Sequence, residues 1–121
     1  MTQNQRKNLE AWIRDLRTTD KPQAQCYLHG PDGYCCLGRA CEIMGIPSEL
    51  LLNGVWSFMF PFANWVSSSS PNVVWFWETF GIDGPARAIT RLARLNDNEG
   101  YTFAQIADVL EQDYLNAGEN A

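Results

Sequence analysis

The four cysteines and the single histidine are the residues in this sequence that could form a zinc site of the Cys/His type. Cys26 and His29 have the spacing of paired zinc ligands, and Cys36 with Cys41 could supply the second pair. The second pair straddles a predicted junction between a strand and a helix, and the more typical Cys-x-x-Cys spacing is missing. We therefore expect no bound metal and no other cofactor, with the cysteines serving as small buried hydrophobic residues.

A cysteine nucleophile is the second kind of chemistry that these residues could perform. Cys35 and Cys36 immediately precede a predicted short helix, whose N-terminus would favour a thiolate. His29 could face them across a hairpin and act as the base. Successive residues of a strand point to opposite faces, so at most one of the two thiols lies on the buried face. A structural role is the favoured interpretation, and a cysteine-dependent enzyme is kept as an alternative.

Aromatic residues are concentrated in the middle of the chain. They alternate from Trp56 to Phe62, so an extended strand would place them on one face. A small core can absorb several large rings, but Trp and Phe are also enriched at the centres of protein interfaces. Two interpretations stay open, a hydrophobic core and a partner groove or homodimer face. The candidate binding residues of this segment are Trp56, Phe58, Phe60, Trp65, Trp75 and Trp77.

Charged residues form two blocks of opposite sign towards the C-terminus. Arg87, Arg91 and Arg94 stand in a stretch with one acidic residue, whereas residues 96–121 contain acidic residues and neither lysine nor arginine. The favoured interpretation is a pair of adjacent helices with complementary faces, in which Asp108 and Glu111 reach the arginines. The alternative is that the three arginines bind a small molecule or nucleotide that stacks on the aromatic rings.

The net charge of −5 argues against a nucleic-acid partner, because neutralising phosphates requires a basic face. Residues 102–110 are similar to the first helix of a helix-turn-helix, but acidic residues follow where a basic recognition helix belongs. We expect no DNA binding. The chain has no apolar run near the ~20 residues of a membrane helix, and its first residues lack a signal core. We therefore expect a cytoplasmic protein with reduced cysteines and no membrane partner.

The elements that position these residues are clearest at the two ends of the chain. Thr2 with Gln5, and Thr102 with Gln105, have the spacing of helix capping boxes. Apolar residues follow each of them at helical spacing, which predicts one amphipathic helix at either end. The first stripe is Leu9, Trp12, Ile13 and Leu16, and the second is Phe103, Ile106, Ala107, Leu110 and Tyr114.

Turn residues divide the rest of the chain into shorter elements. Gly30-Pro-Asp-Gly33 predicts a tight turn within a β-hairpin, and Asn53-Gly54 between apolar runs predicts a second hairpin. Short helices bounded by glycine or proline are predicted at residues 37–44, 73–80 and 86–95. The whole pattern predicts a small, mainly helical α+β protein, a single domain over residues 1–121 with one or two short β-hairpins.

Two segments of the chain resemble a known family of small proteins. The first segment resembles the start of uncharacterised proteins from tailed bacteriophages, prophages and bacteria. It consists of Tyr34-Cys-Cys-Leu-Gly38, preceded by a helix with Trp12 and Leu16-Arg17. The second segment resembles the end of proteins in that family, through Leu95-Asn-Asp97, Gly100, Thr102-Phe103 and Ile106-Ala-Asp108. The resemblance covers about half of the chain in segments and does not include its middle. It implies a bacterial or phage-infected cytoplasm and supplies no catalytic residues.

These observations favour a small acidic accessory protein of phage type that binds a host or phage protein without catalysis. The acidic last helix favours a basic partner, since charge complementarity mainly raises the association rate. The first alternative is a small-molecule or nucleotide-binding protein with an arginine-lined site. The second alternative is the cysteine-dependent enzyme.

Overall fold

A computed structural model describes residues 1–50, 52, 54, 56–58, 71–82 and 84–116. The helices of the described residues are α1 (Gln3–Thr18), α2 (Cys36–Ile43), α3 (Pro71–Phe80), α4 (Pro85–Asp97) and α5 (Phe103–Leu110), and α5 continues into a π-helical turn at Glu111–Leu115. The strands are β1 (His29–Gly30), β2 (Gly33–Tyr34), β3 (Ser48–Leu50) and β4 (Trp56–Phe58). The predicted class, a small and mainly helical α+β protein, is confirmed.

Helix α1 packs against α2, α3 and α5 and so lies at the centre of the fold. The predicted capping box is present, because the Gln5 N–H donates to Thr2 Oγ1 at 3.1 Å and the Thr2 N–H donates to Gln5 Oε1 at 2.8 Å. The predicted apolar stripe of α1 is buried. Within it, the Trp12 ring contacts Phe76 and Phe80 of α3, with centroid distances of 5.5 and 4.9 Å.

The four strands form one antiparallel sheet in the order β2-β1-β4-β3. The hairpin predicted at Gly30-Pro-Asp-Gly33 is confirmed by the pairing of His29 with Tyr34. The second predicted hairpin is confirmed by the pairing of β3 with β4, although Asn53 of its turn lies outside the described residues. His29 also pairs with Trp56, so the two hairpins share one sheet.

The remaining predicted helices are confirmed, with ends that differ by one or two residues. Helix α3 begins at Pro71, and its predicted N-cap, Ser70, lies outside the described residues. Helix α4 has Pro85 at its first turn, as predicted, and continues to Asp97. Helix α5 begins after Thr102, and the predicted capping box of Thr102 with Gln105 is present.

Buried side chains from every described helix and from strands β2 and β4 form one continuous apolar cluster. Helix α2 enters this cluster with Cys36, Leu37 and Cys41, and α4 enters it with Ile89 and Leu92. Burial of these side chains is the main favourable contribution to folding. None of the described helices has the length and apolar character needed to span a bilayer.

Candidate functional site

Asn96 is fully buried in the last turn of α4 and lies at the centre of a hydrogen-bond network. Its Oδ1 accepts hydrogen bonds from the Cys36 N–H at 3.2 Å and from Gln23 Nε2 at 2.9 Å. Its Nδ2 donates to the Ala24 carbonyl and to Asp97 Oδ1, both at 2.8 Å. The amide therefore uses all four of its hydrogen-bonding positions, as a buried amide must.

Gln23 and Asp97 extend this network on either side of Asn96. Gln23 Nε2 also donates to the Tyr101 carbonyl at 2.7 Å, and Gln23 Oε1 accepts from the Phe103 N–H at 2.9 Å, which fixes the start of α5. Asp97 Oδ1 also accepts from the Cys26 N–H at 3.0 Å. Cys26 has a φ of 73°, a left-handed conformation that a residue with a Cβ rarely adopts. The carboxylate of Asp97 thus holds an unusual turn.

The adjacent cysteines both have structural contacts. Cys35 Sγ accepts from the Gly38 N–H at 3.4 Å, so this thiol caps the N-terminus of α2. Cys36 Sγ lies 3.7 Å from the Leu92 carbonyl, and the Cys36 carbonyl accepts from Trp12 Nε1 at 3.0 Å. These bonds join α2 to α1 and α4. Both thiols are part of the core.

Burial also makes these thiols weak nucleophiles. It raises the pKa of Cys35 to about 12, and it raises the pKa of Cys36 and Cys41 well above the usual value. A thiol reacts as the thiolate, so burial disfavours the reactive form of these groups at neutral pH. All four cysteines are free, and Cys26 is the exposed one.

The candidate metal ligands are not brought together. Cys26 is exposed, whereas Cys36 and Cys41 are fully buried in the core. Across the described ranges, no three His, Cys, Asp or Glu side chains are grouped in a way that could hold a metal ion. The set of Cys26, His29, Cys36 and Cys41 is therefore not a zinc site in this structure.

His29 belongs to an aromatic stack on the sheet. Its ring is stacked between Tyr34 and Trp56, with centroid distances of 4.0 and 5.1 Å. Its Nδ1 lies 3.3 Å from Ser48 Oγ. Burial lowers the pKa of His29, because the charged imidazolium would lose hydration among these rings.

A buried ion pair beside this stack was not anticipated from the sequence. Arg39 Nε and Nη2 donate to the two carboxylate oxygens of Asp15 at 2.8 and 2.7 Å. The side chains of Arg39 and Asp15 are 7% and 15% exposed. The Arg39 guanidinium also lies 4.8 Å from the centroid of the Tyr34 ring. The sequence signal was a lone arginine between buried positions of a short helix, which requires an anionic partner.

The candidate aromatic residues divide between the core and the surface. Phe58 is buried, and Trp75 is half-buried with its ring edge-on to Phe76 and Phe80 of α3. Trp56 is half-buried in the stack with His29. Trp77 is 44% exposed on α3. The other two candidates, Phe60 and Trp65, lie outside the described residues.

Helix α4 forms an ion pair with the acidic end of the chain, as predicted, but the acidic partner is a different residue from those expected. Arg91 Nη1 lies 2.8 Å from Asp113 Oδ2 in the π-helical turn. The residues expected to reach α4, Asp108 and Glu111, instead contact Arg17 of α1 at 2.7 and 2.9 Å. The reason is geometric, since α5 packs along α1, and residues three apart on a helix share one face.

The other candidate arginines lie near Arg91 on the outer face of α4. Arg87, Arg91 and Arg94 line one shallow hollow together with Ala86 and Thr90. The structure therefore brings the three candidates to one surface, as the helical spacing predicts.

A groove with a volume of about 380 Å³ lies between α4, the start of α2 and the segment that precedes β1. Leu28, Leu37 and Ile89 contribute apolar walls, and Asp97 contributes a carboxylate. This volume falls at the lower end of the ~300–1,000 Å³ typical of ligand sites. The sequence did not predict this groove, because its walls come from distant parts of the chain. Asp97, the acidic residue after the buried Asn96, was the one local sequence signal of the groove.

No protein-family model matches the chain, and neither curated proteins nor solved structures include a significantly similar one.

Proposed function

We propose that this chain is a non-catalytic accessory protein that binds a protein partner through the groove beside α4. The groove itself is the observation that carries the proposal, because it is open to solvent and mostly apolar, with a carboxylate among its lining residues. Tyr27 also lines the groove and is 49% exposed. Tyrosine is a residue type enriched at the centres of protein interfaces.

The surroundings of the potentially catalytic groups support binding rather than catalysis. The Cys35 and Cys36 thiols are buried and protonated, and the His29 ring is held between two aromatic rings. Asn96 and Asp97 are engaged in the network that fixes the end of α4. The resemblance to small phage and prophage proteins supports a host or phage protein as the partner.

The charge of the chain supports a basic partner. The sequence carries a net charge of −5, and the groove adds the Asp97 carboxylate to an otherwise apolar surface. Opposite charge on the partner would accelerate encounter and select against acidic competitors. Binding should therefore weaken as the salt concentration rises.

The experiment is affinity capture from a bacterial lysate at low salt, followed by mass spectrometry of retained proteins and small molecules. Thr90→Trp places a large ring at the groove, because Thr90 is exposed and lines it. Thr90 also borders the hollow of the α4 arginines, so Arg91→Glu, at a residue that lines the hollow and not the groove, separates the two sites. Ala104→Trp is the matched control, since Ala104 is exposed on α5 and does not line the groove. We expect Thr90→Trp to reduce partner capture at least about tenfold. Equal capture by the two variants would refute groove binding.

A second candidate function uses the arginines of α4. Arg87, Arg91 and Arg94 line a common hollow, which would suit a small phosphate-bearing ligand. Arg91 is already paired with Asp113, and this pairing favours the structural interpretation. Arg91→Glu distinguishes the two functions, because it would abolish ATP or phosphate binding at the hollow. Under the leading proposal, it leaves capture of the protein partner unchanged.

The cysteine-dependent enzyme is the third candidate and is tested by alkylation. Under the leading proposal, iodoacetamide modifies Cys26 in the native protein, because this is the exposed thiol. Cys35 and Cys36 react only after unfolding, since they are buried and protonated. Rapid modification of Cys35 in the native state would restore the enzyme hypothesis.

A further inference from the structure

We infer that the groove receives a lysine side chain presented by the basic partner, with the ammonium group at Asp97. This inference rests on the proposed function and adds the chemistry by which the groove recognises its occupant. It is carried by the hydrogen bonds of Asp97, by the apolar walls of the groove and by the charges of the described lining residues.

Asp97 is oriented before any partner arrives. Its Oδ1 accepts from the Cys26 N–H at 3.0 Å and from Asn96 Nδ2 at 2.8 Å. Both donors are neutral groups, so the carboxylate charge is not cancelled. Within the described part of the chain, Oδ2 has no hydrogen-bond partner. A cation that enters the groove can therefore bind an acceptor that is already fixed in position.

The negative field of Asp97 extends into the groove. Cys35 also lines the groove, and its pKa is raised to about 12 by burial, with a further contribution from the charge of Asp97. None of the described lining residues is a lysine or an arginine. The groove is thus an apolar surface that carries an unneutralised negative charge, and a cation is complementary to it.

The walls of the groove match the stem of a basic side chain. Leu28, Leu37, Ile89 and Ala93 offer apolar contacts, and a lysine stem consists of methylene groups. Such a side chain can lie along an apolar surface while its charged end reaches a polar group. The occupant is therefore amphipathic, with an aliphatic body and a cationic end.

The geometry at Asp97 favours lysine over arginine. A guanidinium binds a carboxylate best through two parallel hydrogen bonds, one to each oxygen. Oδ1 of Asp97 already accepts two hydrogen bonds, so it has little capacity for the second bond of an arginine. The ammonium of lysine is a compact charge that can bind Oδ2 alone.

The test is a titration of the full, isotope-labelled chain with terminally blocked pentapeptides, followed by NMR at low salt. The peptides are Gly-Ser-Lys-Ser-Gly and its counterparts with arginine or norleucine at the centre. We expect the lysine peptide to shift the amides of Leu28, Ile89 and Asp97 and to bind about tenfold more tightly than the norleucine peptide. The arginine peptide should bind more weakly than the lysine peptide.

Two variants separate the carboxylate from the overall charge. Asp97→Asn keeps an oxygen to accept from Cys26 and Asn96 but removes the charge, so the preference for lysine should disappear. Asp20→Asn removes one charge from an exposed residue that does not line the groove, and the preference should persist. Equal binding of all three peptides to the wild-type chain would overturn the inference without reliance on any variant. Equal effects of the two variants would also overturn it.

A further titration with 1,5-diaminopentane tests a free amine as the occupant. Tighter binding of this diamine than of the lysine peptide would overturn the assignment to a protein segment. The inference and the proposed function fail separately. If the peptides bind equally while Thr90→Trp still abolishes capture, the inference fails and the proposed function stands. If capture is insensitive to Thr90→Trp, the proposed function fails whatever the peptides do.

Discussion

Replacement of Asn96 by alanine is the sharpest test of the network that joins α4 to the cysteine hairpin. The Asn96 side chain is fully buried and makes four hydrogen bonds. Two of its partners keep another bond, because Gln23 Nε2 also reaches the Tyr101 carbonyl and Asp97 Oδ1 also accepts from Cys26. The network therefore loses only part of its support in the variant.

The expected loss of stability follows from the two partners of Asn96 that would keep no other hydrogen bond. The Cys36 N–H and the Ala24 carbonyl are buried backbone groups, and each would be left without its bond to Asn96. An unsatisfied buried group costs about 1–3 kcal/mol, so Asn96→Ala should lower the free energy of unfolding by about 2–6 kcal/mol. This is a large fraction of the ~5–15 kcal/mol that stabilises a typical domain.

The assay is urea denaturation followed by tryptophan fluorescence, with Asn98→Ala as the control. Asn98 is exposed at the end of the same helix, so its replacement should change stability by no more than about 0.5 kcal/mol. If Asn96→Ala is too unstable to purify, the contrast in soluble yield and helical circular dichroism between the two variants gives the same answer. A loss below about 1 kcal/mol for Asn96→Ala would refute the reasoning.

Three further predictions concern a close contact, a helix cap and a titration. Gly38→Ala should cost at least about 3 kcal/mol in chemical denaturation, because its Cβ would lie 1.6 Å from the Leu28 carbonyl oxygen; a well-tolerated alanine would contradict this packing. Thr102→Ala should cost about 1 kcal/mol in the same assay, since Thr102 Oγ1 caps α5; unchanged stability would mean that the cap contributes nothing. His29, the single histidine, should titrate below its usual pKa in NMR because burial disfavours the imidazolium. The stability that neutral His29 contributes is then present above the unfolded pKa of about 6.5 and is lost as the pH falls through the folded pKa. Between about pH 7 and pH 5, the His29→Phe variant should therefore lose less stability than the wild-type protein. A measured pKa at or above the usual value would contradict this.

The sequence by itself determined the elements whose signals are local. The capping boxes at Thr2 and Thr102 and the apolar stripes that follow them predict α1 and α5, because caps and helical periodicity depend on residues within a few positions. The hairpin at Gly30-Pro-Asp-Gly33 follows in the same way, since turn chemistry is local. The alternation of side chains along a strand also favours a structural role for the adjacent cysteines.

Tertiary structure decided which distant residues meet. The sequence shows complementary charges on two helices, but only packing determines that Arg91 pairs with Asp113 and that Arg17 takes Asp108. Both pairings agree with the same pattern of charge, because exposed ion pairs are too weak to direct how helices pack. The sequence of the aromatic segment is likewise compatible with a buried core and with an exposed surface. Burial places Phe58 in the core and Trp77 on the surface.

The groove depends on tertiary structure most completely. Its walls come from the segment before β1, from α2, from β4 and from α4, and no local pattern records that these will face one another. Aspartate is an ordinary surface residue, and only the hydrogen bonds from Cys26 and Asn96 fix the Asp97 carboxylate in position as an acceptor. The sequence therefore supplied the carboxylate and the apolar side chains, whereas their arrangement into one site required long-range packing, which no short window of sequence encodes.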